Sequence, residues 1–162
     1  MELNSVAVYL ILARLDCQEV ASLADRIFAQ KAIYLLQLFG IDLRYRFCWY
    51  LHGPYSKSLD SVVRSIDAEV ERFAGGFSLT PEVEPALEVI RNLVTIAPSG
   101  LDRSRWLELV ASIHYLKHIS VSAAARADVE PELRRAGKPN FASDQIECAW
   151  QWLVSCHVSS VG

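Results

Sequence analysis

The sequence predicts a mainly α-helical fold, with six or seven helices around one short two-stranded β-hairpin. Three observations support this prediction: apolar residues recur at helical spacing along most of the 162 residues, only one long stretch alternates with a period of two, and glycine and proline separate the segments. No repeat or long polar linker divides the chain, so we expect a single domain over residues 1–162. Its front half, 1–80, carries the predicted hairpin, and its back half, 81–162, is helical.

Two helices begin the chain. Residues 3–15 are nearly all apolar, which predicts a helix that is largely buried. Residues 22–39 show a clear helical pattern, because Ser22 and Asp25 have the spacing of a capping box, apolar residues follow at helical spacing, and Gly40 supplies the stop. We therefore expect a buried first helix followed by an amphipathic second one.

After the second helix the period changes to two, which predicts a half-buried strand over 43–51. Its apolar and aromatic residues should face the core, whereas Arg44 and Arg46 should lie on the polar face. The strand ends at the Gly-Pro turn signal of 53–54. Residues 77–80 also alternate, and we expect them to pair with the first strand.

Caps and apolar stripes predict the remaining helices. A serine cap begins a helix over 56–73, and an acidic start begins another near Pro85. The later helical segments are 102–119, an alanine- and arginine-rich stretch over 122–136 that predicts a weak helix or a helix pair, and a last helix carrying Ile146 and Leu153. In the front half, the order helix, helix, strand, helix, strand is similar to that of a winged helix.

Composition limits the class of protein. Hydrophobic residues make up 52% of the chain and the mean hydropathy is +0.19, values too apolar for a disordered chain. The longest apolar run, 6–13, is far shorter than the roughly 20 residues that cross a bilayer, and it has neither a basic leader nor a cleavage site. We therefore expect a cytoplasmic protein without a membrane segment.

The distribution of charge argues against a general nucleic-acid binder. The net charge is −3, and each half of the chain carries more acidic than basic side chains. Proteins that bind nucleic acid through its phosphates usually have a basic excess. Nucleic acid is therefore a disfavoured partner. Binding it would require a local basic patch.

The four cysteines have no functional spacing. Cys17, Cys48, Cys148 and Cys156 form no Cys-x-x-Cys pair and are few for the length of the chain. In a cytoplasmic protein this pattern predicts reduced, mostly buried thiols.

No pattern in the sequence predicts catalysis. His114 and His118 are four apart on a predicted helix, but the two-histidine zinc motif has a glutamate directly after its first histidine, where this chain has Tyr115. One core histidine and one solvated histidine is the simpler interpretation. The sequence contains no phosphate-binding loop, nucleophile elbow or cluster of paired carboxylates. We therefore expect a protein that is not an enzyme and that needs neither a metal nor another cofactor.

One strand face and the corner after it form the candidate contact surface. Arg44, Arg46 and Tyr50 lie on the polar face of the predicted strand, and two arginines with an aromatic ring can contact phosphates or an acidic partner. The corner consists of His52, Gly53, Pro54, Tyr55 and Ser56. The alternatives are an ordinary solvated strand face and a corner that only shapes the fold, since glycine and proline fix a reversal and serine caps a helix.

A motif spread over this region resembles that of a bacterial group. Its parts are Gln30-Lys31-Ala-Ile-Tyr34-Leu-Leu-Gln37, Tyr45-x-Phe47 and Tyr50-x-x-Gly53-Pro54-Tyr55-Ser56-x-x-Leu59. The pattern is similar to that of the YwgA-like proteins and, more distantly, of the Panacea antitoxin domain and the C-terminal domain of the macrodomain antitoxin that opposes a DNA ADP-ribosylating toxin. Two downstream segments, Trp106-Leu-Glu-Leu-Val-Ala-Ser-Ile-His-Tyr115 and Lys138-Pro139-x-Phe141, are similar to the second half of YwgA-like proteins. His52 departs from the pattern, which has glycine or tyrosine there.

The resemblance implies a small non-catalytic module that neutralises a toxin by direct protein contact or serves in phage defence. On this basis we expect stoichiometric binding to a toxin or defence effector through the candidate contact surface. The resemblance adds Gln30, Lys31 and Tyr34 as motif residues on the second helix.

Two further expectations follow from the residues. A winged-helix DNA-binding regulator is the alternative function, with helix 56–73 or helix 22–39 as its recognition helix. The apolar residues also exceed what one small core needs, and they include Trp152 and the tail 154–161. This excess predicts an exposed patch that binds a partner or forms a homodimer.

Overall fold

The computed structural model describes residues 3–138 and 140–156, and it confirms a mainly α-helical fold with one short β-hairpin. Within these residues there are eight α-helices, one more than the upper figure predicted from the sequence. In chain order the elements are α1 (Leu3–Arg14), α2 (Leu23–Leu38), β1 (Cys48–Tyr50), β2 (Gly53–Tyr55), α3 (Lys57–Arg64), α4 (Ala68–Ala74), a 3₁₀ turn (Pro81–Val83), α5 (Glu84–Thr95), α6 (Arg103–His114), a π turn (Tyr115–Ile119), α7 (Arg126–Arg135) and α8 (Ser143–Ser155).

α2 is the central helix. It begins with the predicted capping box, in which the Ser22 Oγ accepts the Asp25 N–H at 3.0 Å and the Asp25 carboxylate accepts the Ser22 N–H at 3.2 Å. Residues 28–36 are buried without a break, because α2 packs against α6, α3, α5 and β2. A single cluster of buried apolar side chains extends around it from α1 to α8.

The helix predicted over 56–73 is two helices, α3 and α4, because Asp67 begins a new one. Its Oδ1 accepts hydrogen bonds from the N–H groups of Glu69 at 2.9 Å and Val70 at 3.0 Å, as an N-cap does. Aspartate competes for backbone N–H groups in this way and so favours helix ends over helix interiors. The prediction of one continuous helix is therefore wrong.

The hairpin differs from the predicted one in its second strand. β1 pairs antiparallel with β2, with Cys48 opposite Tyr55 and Tyr50 opposite Gly53, so the Gly-Pro corner is itself the second strand. The predicted partner, residues 77–80, has no strand structure. Gly53 explains the difference, because its φ of +87° allows the chain to reverse directly after Tyr50.

The alternation predicted along the first strand is confirmed in exposure but not in backbone pairing. Over 42–50 the even-numbered side chains are exposed and the odd-numbered ones are half-buried. Only Cys48–Tyr50 pairs as a strand, and Arg44 has a φ of +61°, which interrupts the extended backbone. Leu51, which the pattern places on the core face, lies in the turn and is 72% exposed.

In the back half the structure refines three predictions. α5 begins at Glu84, close to its predicted start. The helix predicted over 102–119 is α-helical only as far as His114 and closes with the π turn. The stretch 122–136 forms one helix, α7, which contains Pro131. In the described part of the chain, no helix combines the length and the apolar content needed to span a bilayer.

The expectation of mostly buried thiols is wrong. Cys17 is buried, whereas Cys48 and Cys148 are exposed and Cys156 is partly exposed. Burial raises the pKa of the Cys17 thiol to about 11. Only this first cysteine therefore behaves as the buried thiol that the spacing predicts.

Trp152 does not contribute the exposed apolar surface that the sequence suggested. Its ring is half-buried and packs edge-on against Phe39, with the ring centroids 6.2 Å apart. Val154 is exposed, and positions 157–161 of the apolar tail lie outside the described residues. An exposed apolar patch must therefore be sought elsewhere on the molecule.

Candidate functional site

Four buried polar side chains hold the hairpin from the core side, and we call them the hairpin brace: Gln30, Lys31, Glu108 and Lys138. The first two come from α2, the third from α6, and the last from the loop after α7. Each is at most 6% exposed, although such side chains are rarely buried unless they are paired. This concentration of buried polarity beneath two three-residue strands identifies the candidate site.

Gln30 makes two hydrogen bonds to the backbone of the residue after β2, one as acceptor and one as donor, as the backbone of a neighbouring strand would. Its Oε1 accepts the Ser56 N–H at 2.9 Å, and its Nε2 donates to the Ser56 carbonyl at 2.9 Å. The Ser56 Oγ in turn accepts the Leu59 N–H at 3.4 Å and caps α3. Gln30 therefore fixes the junction between the hairpin and the helix that follows it.

Lys31 holds the hairpin by a carbonyl of β2. Its Nζ donates a hydrogen bond to the carbonyl of Pro54 at 2.8 Å, and both side chains are buried. Burial lowers the pKa of Lys31 to about 7, while the nearby Glu108 carboxylate acts in the opposite direction. The amine therefore changes its charge near neutral pH.

Glu108 is the carboxylate of the hairpin brace. Its Oε1 accepts a hydrogen bond from the Lys138 Nζ at 2.7 Å, and its Oε2 accepts one from the Arg105 Nη1 at 3.0 Å. The His52 Nδ1 lies 3.7 Å from Oε1. The Lys138 Nζ also donates to the Leu51 carbonyl at 3.0 Å. Glu108 therefore supplies the counter-charge for the side chain that fixes the turn.

Gly53 fits against α6 because it has no side chain. A Cβ at this position would collide with the Oγ of Ser112, a residue that is fully buried. Among the described residues, the Ser112 hydroxyl makes no hydrogen bond. The close approach and the φ of +87° are thus two separate reasons for glycine here.

Tyr34 belongs to a second buried polar pair. Its hydroxyl lies 2.7 Å from the His114 Nδ1, and its ring packs edge-on against Phe47. Burial lowers the pKa of His114 to about 4 and raises that of Tyr34. The His118 ring is 4.8 Å from that of His114, and within the described ranges no third potential metal ligand joins them. His114 is therefore the core histidine that the sequence interpretation required.

The hairpin presents Tyr50 and Leu51 to solvent at its tip. Their exposed fractions are 55% and 72%. The Tyr50 ring packs on that of Tyr55, with the centroids 5.1 Å apart, and His52 beside them is partly exposed. Burial lowers the pKa of His52, whereas Glu108 acts in the opposite direction. Tyr50 and Leu51 are thus exposed to solvent, while the hairpin brace holds the backbone of the hairpin that carries them.

Arg44 and Arg46 lie on the irregular segment before β1, and both are exposed. The Arg44 N–H donates to the Asp42 Oδ1 at 3.2 Å, and its guanidinium Nε is 3.8 Å from the same carboxylate. Such exposed pairs are weak. Tyr45 between the two arginines is held at its backbone, because its N–H donates to the Gln37 Oε1 at 2.9 Å and its carbonyl accepts from the Gln37 Nε2 at 3.0 Å.

The structure divides the predicted site residues into two groups. Six of them are buried: Gln30, Lys31, Tyr34, Gly53, Pro54 and Ser56. Five are exposed or partly exposed: Arg44, Arg46, Tyr50, His52 and Tyr55. Of the buried group, Gln30 and Lys31 hydrogen-bond the backbone of Ser56 and Pro54, next to the exposed Tyr50.

Sequence reasoning missed Glu108 and Lys138 as site residues. A carboxylate between Leu107 and Leu109 on an apolar helix signals a buried ion pair, and this signal could have been used. Lys138 belongs to a segment that resembles the YwgA-like proteins, but nothing in the sequence joins it to the hairpin, which it reaches from a loop across 87 positions of sequence.

A cavity of about 390 Å³, the tip cavity, opens beside Tyr50 and Leu51. Its walls are the beginning of α2, the hairpin and α3, and Gln30 and Lys31 of the hairpin brace contribute to its lining. Its size is at the lower end of the range for ligand pockets, so it has room for a few side-chain groups.

No family model, no curated protein and no solved structure matches the chain. The similarity to the YwgA-like and antitoxin proteins therefore rests on the motif residues alone. In this structure the motif joins α2 to the chain that follows it: Gln30 and Lys31 bond the hairpin and its end, Gln37 bonds the backbone of Tyr45, and the Tyr34 ring packs on Phe47.

Proposed function

We propose that this chain is a non-catalytic protein-binding module that acts by stoichiometric binding to a partner protein through its hairpin tip. The observation that carries the proposal is the combination of exposed Tyr50 and Leu51 with a backbone fixed by buried side chains. The polar groups beneath the tip are occupied in holding carbonyl and N–H groups of the hairpin. Their role is therefore to position the tip.

A fixed tip favours binding. Association costs free energy when loops and side chains must be ordered, and a surface already held in its bound conformation avoids much of that cost. Lys31 and Lys138 hold the carbonyls of Pro54 and Leu51, so the backbone of the turn is constrained before any partner arrives.

The residue types at the tip also support the proposal. Tyrosine and arginine are enriched in protein interfaces, where aromatic side chains fill central pockets. The Tyr50 ring contacts that of Tyr55 at a tilt of 36°, and Arg44 and Arg46 precede the same strand. An aromatic centre with cationic neighbours suits a protein contact.

The class of partner is proposed from the resemblance. It points to a toxin or a phage-defence effector that is occluded by direct contact, in the cytoplasm, by a protein that has no enzymatic activity of its own. A homodimer through the same tip is the other form of protein contact, and the experiment below distinguishes the two.

The winged-helix alternative has less support from the geometry. α2 is buried over 28–36, so it has no face of sufficient length to enter a DNA groove. α3 has eight residues, and its Arg64 is bonded to Asp60 at 2.7 Å. The helix of 56–73 on which the alternative depended is interrupted.

The test is a capture experiment with matched variants. Tagged protein would be purified from its native host as the wild type, as Tyr50→Ser with Leu51→Ser, and as Ile96→Ser, a change of another exposed apolar residue that does not line the tip cavity. We expect a protein retained in stoichiometric amount by the wild type and by Ile96→Ser, but lost from the double variant.

Size-exclusion chromatography with light scattering gives the stoichiometry. A partner that the double variant retains as strongly would remove the hairpin tip as the contact. A dimer of the chain itself that the double variant dissociates would replace the toxin or effector. Salt-dependent DNA retention in a mobility-shift titration would favour the winged-helix alternative.

A further inference from the structure

We infer that the partner presents an acidic segment carrying a large apolar side chain, and that this segment docks in the tip cavity. The inference rests on the proposed function, because it specifies the chemistry of the surface that the hairpin tip binds. Two observations carry it: exposed apolar side chains gather at this cavity, and its lining is cationic although the chain is acidic.

Three exposed large apolar side chains line the same cavity. Among the described residues, ten large apolar side chains are exposed, and three of them, Leu23, Tyr50 and Leu51, line the tip cavity. None of the ten lines either of the two other cavities that the structure describes. Apolar groups gathered at a cavity mouth mark a binding site rather than scattered surface residues. An apolar side chain of the partner is thus expected to enter there.

The lining of the tip cavity carries more basic than acidic groups. Its arginines are Arg26 and Arg64, and its acidic group is Asp60, which already accepts a hydrogen bond from the Arg64 Nε at 2.7 Å. Lys31 and His52 also line it, but burial lowers the pKa of both, so the positive charge of the lining comes mainly from the arginines. The Arg26 guanidinium donates to the Ala21 carbonyl at 2.7 Å, and no carboxylate of the described residues lies within ion-pair distance of it. Arg26 is therefore the arginine of the tip-cavity lining that has no carboxylate partner among the described residues, so a carboxylate of the partner can pair with it.

A larger cavity gives the contrast. Its volume is about 980 Å³, and it shares Arg26 and Arg64 with the tip cavity. Its acidic lining residues are Asp16, Glu19, Asp25, Asp67 and Glu71, against three arginines. Like charge repels an acidic segment, so the difference in lining directs such a segment to the tip cavity.

The experiment uses two synthetic peptides of equal length, each with a central Leu-Phe, flanked by glutamates in one and by lysines in the other. Binding would be followed by amide chemical-shift changes in the full chain. We expect the glutamate peptide to shift residues 23–27 and 50–55 and to bind about tenfold more weakly to Arg26→Glu. The matched control is Arg134→Glu, which makes the same charge change at an exposed arginine outside the cavity and should leave binding unchanged.

Three outcomes would overturn the inference. They are equal or tighter binding of the lysine peptide, no shifts at the tip cavity with millimolar glutamate peptide, and equal weakening by Arg26→Glu and Arg134→Glu. Binding of a single-stranded oligonucleotide at the same residues would also overturn it in favour of a nucleic acid. A captured partner that needs Tyr50 and Leu51 but tolerates Arg26→Glu would remove this inference and leave the proposed function in place.

Discussion

Glu108 and Glu84 each accept hydrogen bonds from two cationic side chains, yet one carboxylate lies in the core and the other lies at the surface. The distances are similar, 2.7 and 3.0 Å around Glu108 and 2.7 and 2.9 Å around Glu84. The side chains are 1% and 45% exposed, respectively. Each carboxylate accepts from two cations at similar distances, so the two networks differ mainly in their burial. That difference gives them different roles.

The surface network joins α1 to α5 through Arg14, Glu84 and Arg91. Hydrogen bonds from Arg91, and more weakly the charge of Arg14, lower the pKa of Glu84. Water solvates all three groups when the network opens, so exposed pairs of this kind add little to stability. Apolar contacts therefore determine how α1 and α5 pack, and this surface network adds little to that packing.

The buried network has a different consequence. A buried ion pair often stabilises a fold no more than apolar side chains of equal volume would, but removal of one member leaves an uncompensated charge in the core. Here the Lys138 amine both pairs with the Glu108 carboxylate and donates to the Leu51 carbonyl. The same side chain therefore neutralises the buried charge and holds the turn. The comparison indicates that the hairpin brace specifies the position of the tip rather than adding stability for its own sake.

Neutralising the two carboxylates should give the largest difference. Glu108→Gln leaves Lys138 without its counter-charge, and we expect the free energy of unfolding to fall by about 3–5 kcal/mol. Glu84→Gln should change it only slightly, because the arginines return to water. Urea unfolding followed by circular dichroism measures both. Equal losses in the two variants would contradict the distinction, whereas partial recovery in Glu108→Gln with Lys138→Met would support it.

Two glycines allow the same comparison at the backbone. Gly53 and Gly40 have φ values of +87° and +89°, but only at Gly53 would a Cβ meet a neighbour, the Oγ of Ser112. Alanine at either position carries the cost of the left-handed conformation, about 1–2 kcal/mol. We expect Gly53→Ala to cost about 1–3 kcal/mol more than Gly40→Ala because of the added overpacking.

A double-mutant cycle isolates that excess. Ser112→Ala removes the Oγ, and the next nearest atom to the added Cβ is then the Ser112 Cβ at 3.6 Å, an ordinary contact. Gly53→Ala with Ser112→Ala should therefore recover most of the excess, as measured by urea unfolding. Strictly additive effects would show that Ser112 does not set the requirement for glycine.

Sequence reasoning succeeded where the determinants are local. The capping box of Ser22 and Asp25, the apolar stripe of α2 and the alternating exposure of 42–50 all depend on neighbours within a few positions. The second strand was assigned wrongly, because the pattern marks Gly53 and Pro54 as the end of a strand and not as the strand that pairs with it. Gly53 also packs against Ser112 of a distant helix. Local pattern contains no information about that contact.

The candidate site was predictable in its residues but not in their roles. The motif named Gln30 and Lys31 together with the corner, and the structure joins them through buried hydrogen bonds. Lys138 could not be assigned to the site, since its contact with Leu51 depends on how the back half folds onto the front half. Exposure, which separates supporting residues from contact residues, is a property of the complete fold.

The last comparison concerns pH, where a change of one pH unit has the smallest expected effect. The pKa of Lys31 is about 7 in the folded chain against 10.5 ordinarily, so between these values the unfolded chain binds more protons. Stability should therefore rise as the pH increases from 7 towards 10.5, by less than about 1.4 kcal/mol per pH unit. The Cys17 thiol has the opposite effect on stability. Between pH 9 and about 11 the folded chain keeps the thiol proton that the unfolded chain loses, so stability falls as the pH rises.

The variant Lys31→Met separates the two contributions, because Cys17 is unchanged in it. Subtracting its free energy of unfolding from that of the wild type at each pH should leave a difference that grows in favour of the wild type above pH 7. Lys57→Met, a change at an exposed lysine, should leave a flat difference. Parallel curves for the wild type and Lys31→Met would mean that this amine keeps its ordinary protonation, and that water reaches the hairpin brace as freely as it reaches Glu84.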